Sequence, residues 1–163
     1  MNAKDALRST MALSQTVITK YVDDLTDAEI LQRPGPGCNH VAWALGHLIA
    51  SEVGLLSGIC PGKAAELPAG FTEKHDKKNA ASDNPADFLS CRGYLDLFAQ
   101  VRTATLAAMD QMSDAELDEP GPEHFRKMLP TKGHVLMLIG THPMMHAGQF
   151  VPLRRKLGKP VVI

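Results

Sequence analysis

Two short strings punctuate this chain in the same way. Leu25-Thr26-Asp27-Ala28-Glu29-Ile30 and Met112-Ser113-Asp114-Ala115-Glu116-Leu117 lie 87 residues apart, and each is followed by a Pro-Gly-Pro stop. A hydroxyl residue three positions before a glutamate is a capping box that starts a helix, and Pro-Gly-Pro ends one. Each half of the chain therefore reads as long helix, short capped helix, Pro/Gly turn, long helix. Duplication and independent use of the same punctuation both account for the likeness.

The flanking segments carry helical periodicity. The first, from about Ala3 to Leu25, gathers Ala6, Leu7, Met11, Leu13, Val17, Ile18, Tyr21 and Val22 on one face. The second runs from about Asn39, read as its N-cap, to Gly58. The third begins at Asn84 (cap) and Pro85 (first turn) and continues to Met112. The fourth spans about Thr131 to Leu157 and stops at Gly158 and Pro160. No segment alternates as a strand does. The expectation is an all-α, four-helix bundle in one domain over residues 1–163. The long 59–83 connection lets the second and third helices run parallel, giving an up-down-down-up order with a crossover between them.

Composition narrows the function classes. A formal charge of -1 gives no attraction to nucleic acid or anionic membranes. No apolar stretch is read as a membrane span, and the N-terminus does not read as a signal peptide. Cys38, Cys60 and Cys91 are odd in number and widely spaced, which argues for a reducing, cytoplasmic setting without disulfides. Arg154, Arg155 and Lys156 read as cations at a helix C-terminus rather than a phosphate site.

Three histidines carry the chemistry. His142 and His146 are four residues apart, so they project about 40° from one another on a single helix face. Seven histidines in 163 residues would give roughly 0.3 such pairs by chance, so spacing alone decides little. Their stripe also contains Val135, Leu138 and Leu153, which turns the pair toward the core. His47 lies in the apolar run Trp43-Ala44-Leu45-Gly46-His47-Leu48-Ile49. Three neutral imidazoles from two helices suit a divalent metal and leave positions open for water or substrate. A hydrogen-bonded set of core histidines is the alternative. Pro143 is expected to kink the fourth helix at Gly140 to Pro143 and free the Ile139 carbonyl; a late or two-piece helix is the other reading.

Other groups rank behind these. Glu52 is rotated about 140° from His47, a surface or interhelix residue rather than a base. Gln149 could orient a ligand or pack between helices, and Tyr94 is a possible donor. His40 reads as an exposed first-turn residue, with His134 in a similar position, and His75 and His124 read as surface residues.

The string Asn39-His40-Val41-Ala42-Trp43-Ala44-Leu45-Gly46-His47-Leu48, with His142-x-x-x-His146-x-Gly148-Gln149 and the ending Leu153-Arg154-Arg155-x-Leu157-Gly158, resembles the DinB/YfiT-like family over nearly the whole chain. The resemblance implies one nickel, zinc or iron ion on His47, His142 and His146, frequent homodimers, and a small-molecule substrate. It further implies transferases and isomerases that use a low-molecular-weight thiol. Three neutral imidazoles leave a metal its full charge to activate water or a thiol, so the expectation is a metal-dependent hydrolase or a thiol-dependent transferase. A non-catalytic, stress-related metal- or ligand-binding protein is the alternative. Pro143 and Met145 depart from the usual pattern, where polar residues or a further histidine are common.

Overall fold

The computed structural model describes residues 1–162, and among them only helices and turns form, apart from one isolated Pro120–Thr131 bridge. Four long helices dominate: α1 (Ala3–Val22), α3 (Val41–Ile59), α5 (Cys91–Gln111) and α7 (Lys132–Lys156). Three single-turn helices punctuate them: α2 (Asp27–Ile30), α4 (Phe71–Lys74) and α6 (Asp114–Leu117). Both expected capping boxes form, with Thr26 and Glu29 opening α2 and Ser113 and Glu116 opening α6. Gly158 takes a φ of +70° just past the end of α7, where an L side chain would be strained.

Two helix starts differ from expectation. His40, not Asn39, caps α3, its Nδ1 accepting the Trp43 amide at 3.0 Å. A ring nitrogen can satisfy a first-turn amide as a short polar side chain does. Asn84 and Pro85 open only a 3-10 turn over Pro85–Asp87. The chain then extends through Phe88, and Ser90 caps α5 by accepting the Gly93 amide at 3.1 Å.

Around the bundle, α1 packs on α7 and α5, and α3 packs on α5 and α7. Contacts at the ends set directions. Lys4 near the start of α1 bonds the Met112 carbonyl past the end of α5, and Cys60 Sγ past the end of α3 approaches Met112 Sδ at 3.8 Å. Arg154 near the end of α7 bonds the Tyr21 carbonyl near the end of α1 at 2.9 Å. So α3 and α5 share one direction, and α1 and α7 the other.

The core divides into two clusters. One holds Val17, Ile18, Trp43, Leu48, Phe98, Phe150 and Leu153; the other holds Met11, Leu56, Met109, Leu136 and Ile139. Each such side chain contributes about 1.5–3 kcal/mol when fully buried. Between the clusters along α3 and α5 sit the buried polar residues Glu52, Arg102 and Thr105. Glu52 is thus an interhelix residue: it lies one turn after Ile49 and one turn before Leu56 on the buried face of α3.

α7 runs without a break through Pro143 and Pro152, which excludes a late or two-piece helix. Pro143 has no N–H for the Ile139 carbonyl four residues back. Arg102 Nη2 donates to that oxygen at 3.4 Å instead. The basic cluster divides: Arg154 turns inward to Asp24 (2.6 Å) while Arg155 and Lys156 stay exposed. By length and composition α3 is apolar enough to cross a membrane, contrary to the sequence expectation. More than half of it is buried against the other helices, and it carries His47 and Glu52.

Candidate metal centre

α3 and α7 are neighbours, and they bring His47, His142 and His146 together as the sequence predicted. One nitrogen from each ring falls within 4.8 Å of the other two, and all three residues are half-buried. The ring centroids lie 5.4 Å (His47–His142), 5.4 Å (His47–His146) and 4.9 Å (His142–His146) apart. The Nε2 atoms of His142 and His146 face each other at 3.2 Å. Two nitrogens each roughly 2.0–2.1 Å from a tetrahedral ion stand about 3.3 Å apart. The spacing of that pair therefore already fits one.

Electrostatics agree with the donor set. Burial pushes His142 and His146 down to about 4, with the neighbouring imidazoles adding to the effect, and burial lowers His47 as well. The rings are neutral at pH 7, the form that ligates. His146 Nδ1 is buried and has no hydrogen-bond partner among the described residues. The 3.2 Å Nε2–Nε2 contact also lies within hydrogen-bond range, so the two rings can share one proton between them when they hold no ion.

The crossover builds one side of the centre. Trp43 stacks on His47 with centroids 5.0 Å apart and planes 8° from parallel, and its Nε1–H donates to the Asp76 carbonyl at 3.3 Å. A cleft of about 230 Å³ opens beside His47, lined by Ser51, Thr72, His75, Asp76 and Lys77 among others. Glu52 and His142 share a separate crevice too tight for a water molecule.

Several histidine expectations need correction. His75 is 2% exposed, not a surface residue: Nδ1 donates to the Phe71 carbonyl at 2.7 Å and Nε2 accepts from Tyr94 Oη at 2.7 Å. His40 is fully buried, with its Nε2 against the Ser82 carbonyl at 3.1 Å. Tyr94 is turned to His75, and burial pushes its hydroxyl pKa up. His124 and His134 are exposed, the latter bonded to Thr131. Gln149 is exposed rather than packed between helices.

Sequence reasoning missed the crossover residues. Polar composition over 75–79 hid that His75 and the Asp76 backbone face α3. One signal was available: Gly46, next to His47, has no room for a side chain. A Cβ there would fall 1.9 Å from the His75 ring.

The structure thus defines a four-helix protein with three convergent imidazoles placed as donors for a single ion. The DinB superfamily model matches residues 11–150, and the chain belongs to that family. It is similar to a solved DinB-like protein from Bacillus cereus: 23% identity, TM-score 0.73, 98% of this chain and 95% of that one covered. A conserved protein from Enterococcus faecalis matches at 18% identity and TM-score 0.70, covering 98% and 99%. YfiT from Bacillus subtilis matches at 18% and 0.65, covering 96% and 89%. YfiT is described as a probable metal-dependent hydrolase with an unusual four-helix bundle topology. No curated protein matches the chain.

Proposed function

We propose that this protein is a metal-dependent enzyme that hydrolyses a small molecule at His47, His142 and His146. The observation that carries the reading is the convergence of three neutral, half-buried imidazoles within 4.8 Å. His47, His142 and His146 would hold a divalent ion without cancelling its charge, and that ion would supply Lewis-acid polarisation and a water of pKa lowered toward about 7. The three rings bind and orient; their low proton affinity keeps them available at neutral pH. The adjoining cleft of about 230 Å³ suits a small substrate and supplies polar groups from Ser51, Thr72 and Asp76. Glu52 takes no part as a base, because Arg102 and Thr105 occupy its oxygens.

That last point favours one second reading. With the nearest helix carboxylate engaged by Arg102 and Thr105, the chain offers no helix base there. An ion held by His47, His142 and His146 would supply the activation instead, for a low-molecular-weight thiol as well as for water.

The test is metal analysis of protein purified without a nickel column, followed by activity screens on ester and amide substrates with and without added thiols. One equivalent of zinc, nickel or iron, lost in His47→Ala, supports the reading. Full metal content in His47→Ala overturns the triad. Turnover only with thiol selects the transferase.

A further inference from the structure

We infer that Trp43 is a positioning residue for the metal ligand His47, and that the crossover holds it there through the Asp76 carbonyl. The inference rests on the three-histidine reading above and concerns what fixes one of its ligands. His142 and His146 lie one turn apart on a single helix, so α7 alone sets their mutual geometry. His47 comes from another helix and makes no hydrogen bond of its own among the described residues. Its ring is held by packing, and the flat contact is the Trp43 indole, 5.0 Å away and 8° from parallel.

Trp43 is anchored once through its main chain and once through its ring. Its backbone amide donates to His40 Nδ1 at 3.0 Å, and its Nε1–H donates to the Asp76 carbonyl at 3.3 Å. A buried indole N–H needs such an acceptor, and a backbone carbonyl in a seated segment is a rigid one. The segment is seated next door: His75 packs flat over Gly46 and is bonded at both ring nitrogens. Asp76 Oδ1 accepts the Lys78 amide at 2.9 Å, which fixes the turn that presents the carbonyl. Force thus passes from the crossover to Trp43 and from Trp43 to the imidazole plane. Groups that orient a ligating histidine are worth about 10–100-fold in metal affinity.

The chain has one tryptophan, so it has one indole N–H signal. In the unmutated protein that signal shifts on adding Zn²⁺ and saturates at one equivalent. Trp43→Leu, which removes plate and donor, weakens Zn²⁺ affinity about tenfold or more and shifts the visible spectrum of the Co²⁺-loaded protein. Trp43→Phe keeps a ring but loses the donor, and falls between. Circular dichroism establishes that each variant is folded; if Trp43→Leu is not, the Phe variant and the wild-type indole signal decide. A folded variant with unchanged Zn²⁺ affinity and Co²⁺ spectrum, or an indole signal indifferent to Zn²⁺, overturns the inference. His47→Ala runs in parallel. If it keeps its metal, the triad itself is wrong; if it loses metal while the Trp43 variants do not, the triad stands and the positioning role fails.

Discussion

Arg102 Nη2 lies 2.9 Å from Glu52 Oε2, with the two side chains 1% and 3% exposed, and the same nitrogen reaches the Ile139 carbonyl. One guanidinium therefore ties α5 to α3 five residues past His47, and to α7 three residues before His142. Burial pushes the Glu52 carboxyl up while Arg102 and Thr105 pull it back. Arg102 Nε and Nη1 are buried without hydrogen-bond partners among the described residues. Arg102→Met should destabilise the fold by about 3–5 kcal/mol, because it strands Glu52 and reopens the carbonyl that Pro143 frees. Thermal unfolding should show a drop on the order of 10 °C. The double variant Arg102→Met/Glu52→Leu should recover most of that loss. A single variant as stable as wild type refutes the tie.

Gly46→Ala separates two opposing effects. Helix propensity alone would make alanine better by about 1 kcal/mol. The Cβ would meet three atoms of the His75 ring at 1.9–2.3 Å, and that ring is locked by two hydrogen bonds. The clash should win, with a net loss of about 1–3 kcal/mol. Denaturant midpoints report it, and Gly46→Ala/His75→Ala should lose less than the sum of the singles.

Acid should weaken the metal-free protein over a defined range. His142 and His146 are held at about 4, against about 6.5 in an unfolded chain. Between those values the unfolded state binds protons that the folded state refuses. Stability from this source is complete above pH 6.5 and falls as pH drops toward 4. Calorimetry on metal-free samples should show Tm falling from pH 7 to pH 5. The slope should diminish in His142→Phe/His146→Phe, and a slope unaltered by that double substitution counts against burial as its cause.

Arg154 should not tolerate lysine. Its Nη1 and Nη2 hold both Asp24 oxygens at 2.6 and 3.0 Å, its Nη1 also bonds the Tyr21 carbonyl, and its Nε bonds Pro160 at 2.7 Å. Lysine has a point charge and no fork. Arg154→Lys should cost about 2 kcal/mol, read as an earlier urea midpoint. Asp24 is held below the usual carboxylate range, chiefly by the Arg154 bond. Its share of the clamp should therefore persist at neutral pH and fade only as pH falls through that depressed value.

The helices and their caps were legible because Thr26-x-x-Glu29 and Ser113-x-x-Glu116 act locally, within one turn. The triad was legible because His142, His146 and His47 sit on apolar stripes that must face inward. What stayed hidden depends on docking. Nothing in the residues around His75 says that they lie on Gly46, and His40 reads as an ordinary first-turn residue until Ser82 is beside it. The early start expected at Asn84 failed for the opposite reason: the local signal was real, but it opened a 3-10 turn that the extended Phe88 then interrupts.

Seating of the crossover against α3 separates two kinds of change in this scaffold. Substitutions that swap core side chains act on whether the bundle forms. Substitutions at the exposed positions of 72–83, such as Thr72 and Lys77, act on the wall around one ligand and its cleft, whereas Phe71 and His75 are buried and anchor that wall on the bundle. Variation that changes the cleft without touching the bundle is therefore confined to those exposed crossover positions, each held in place by the buried anchors beside it.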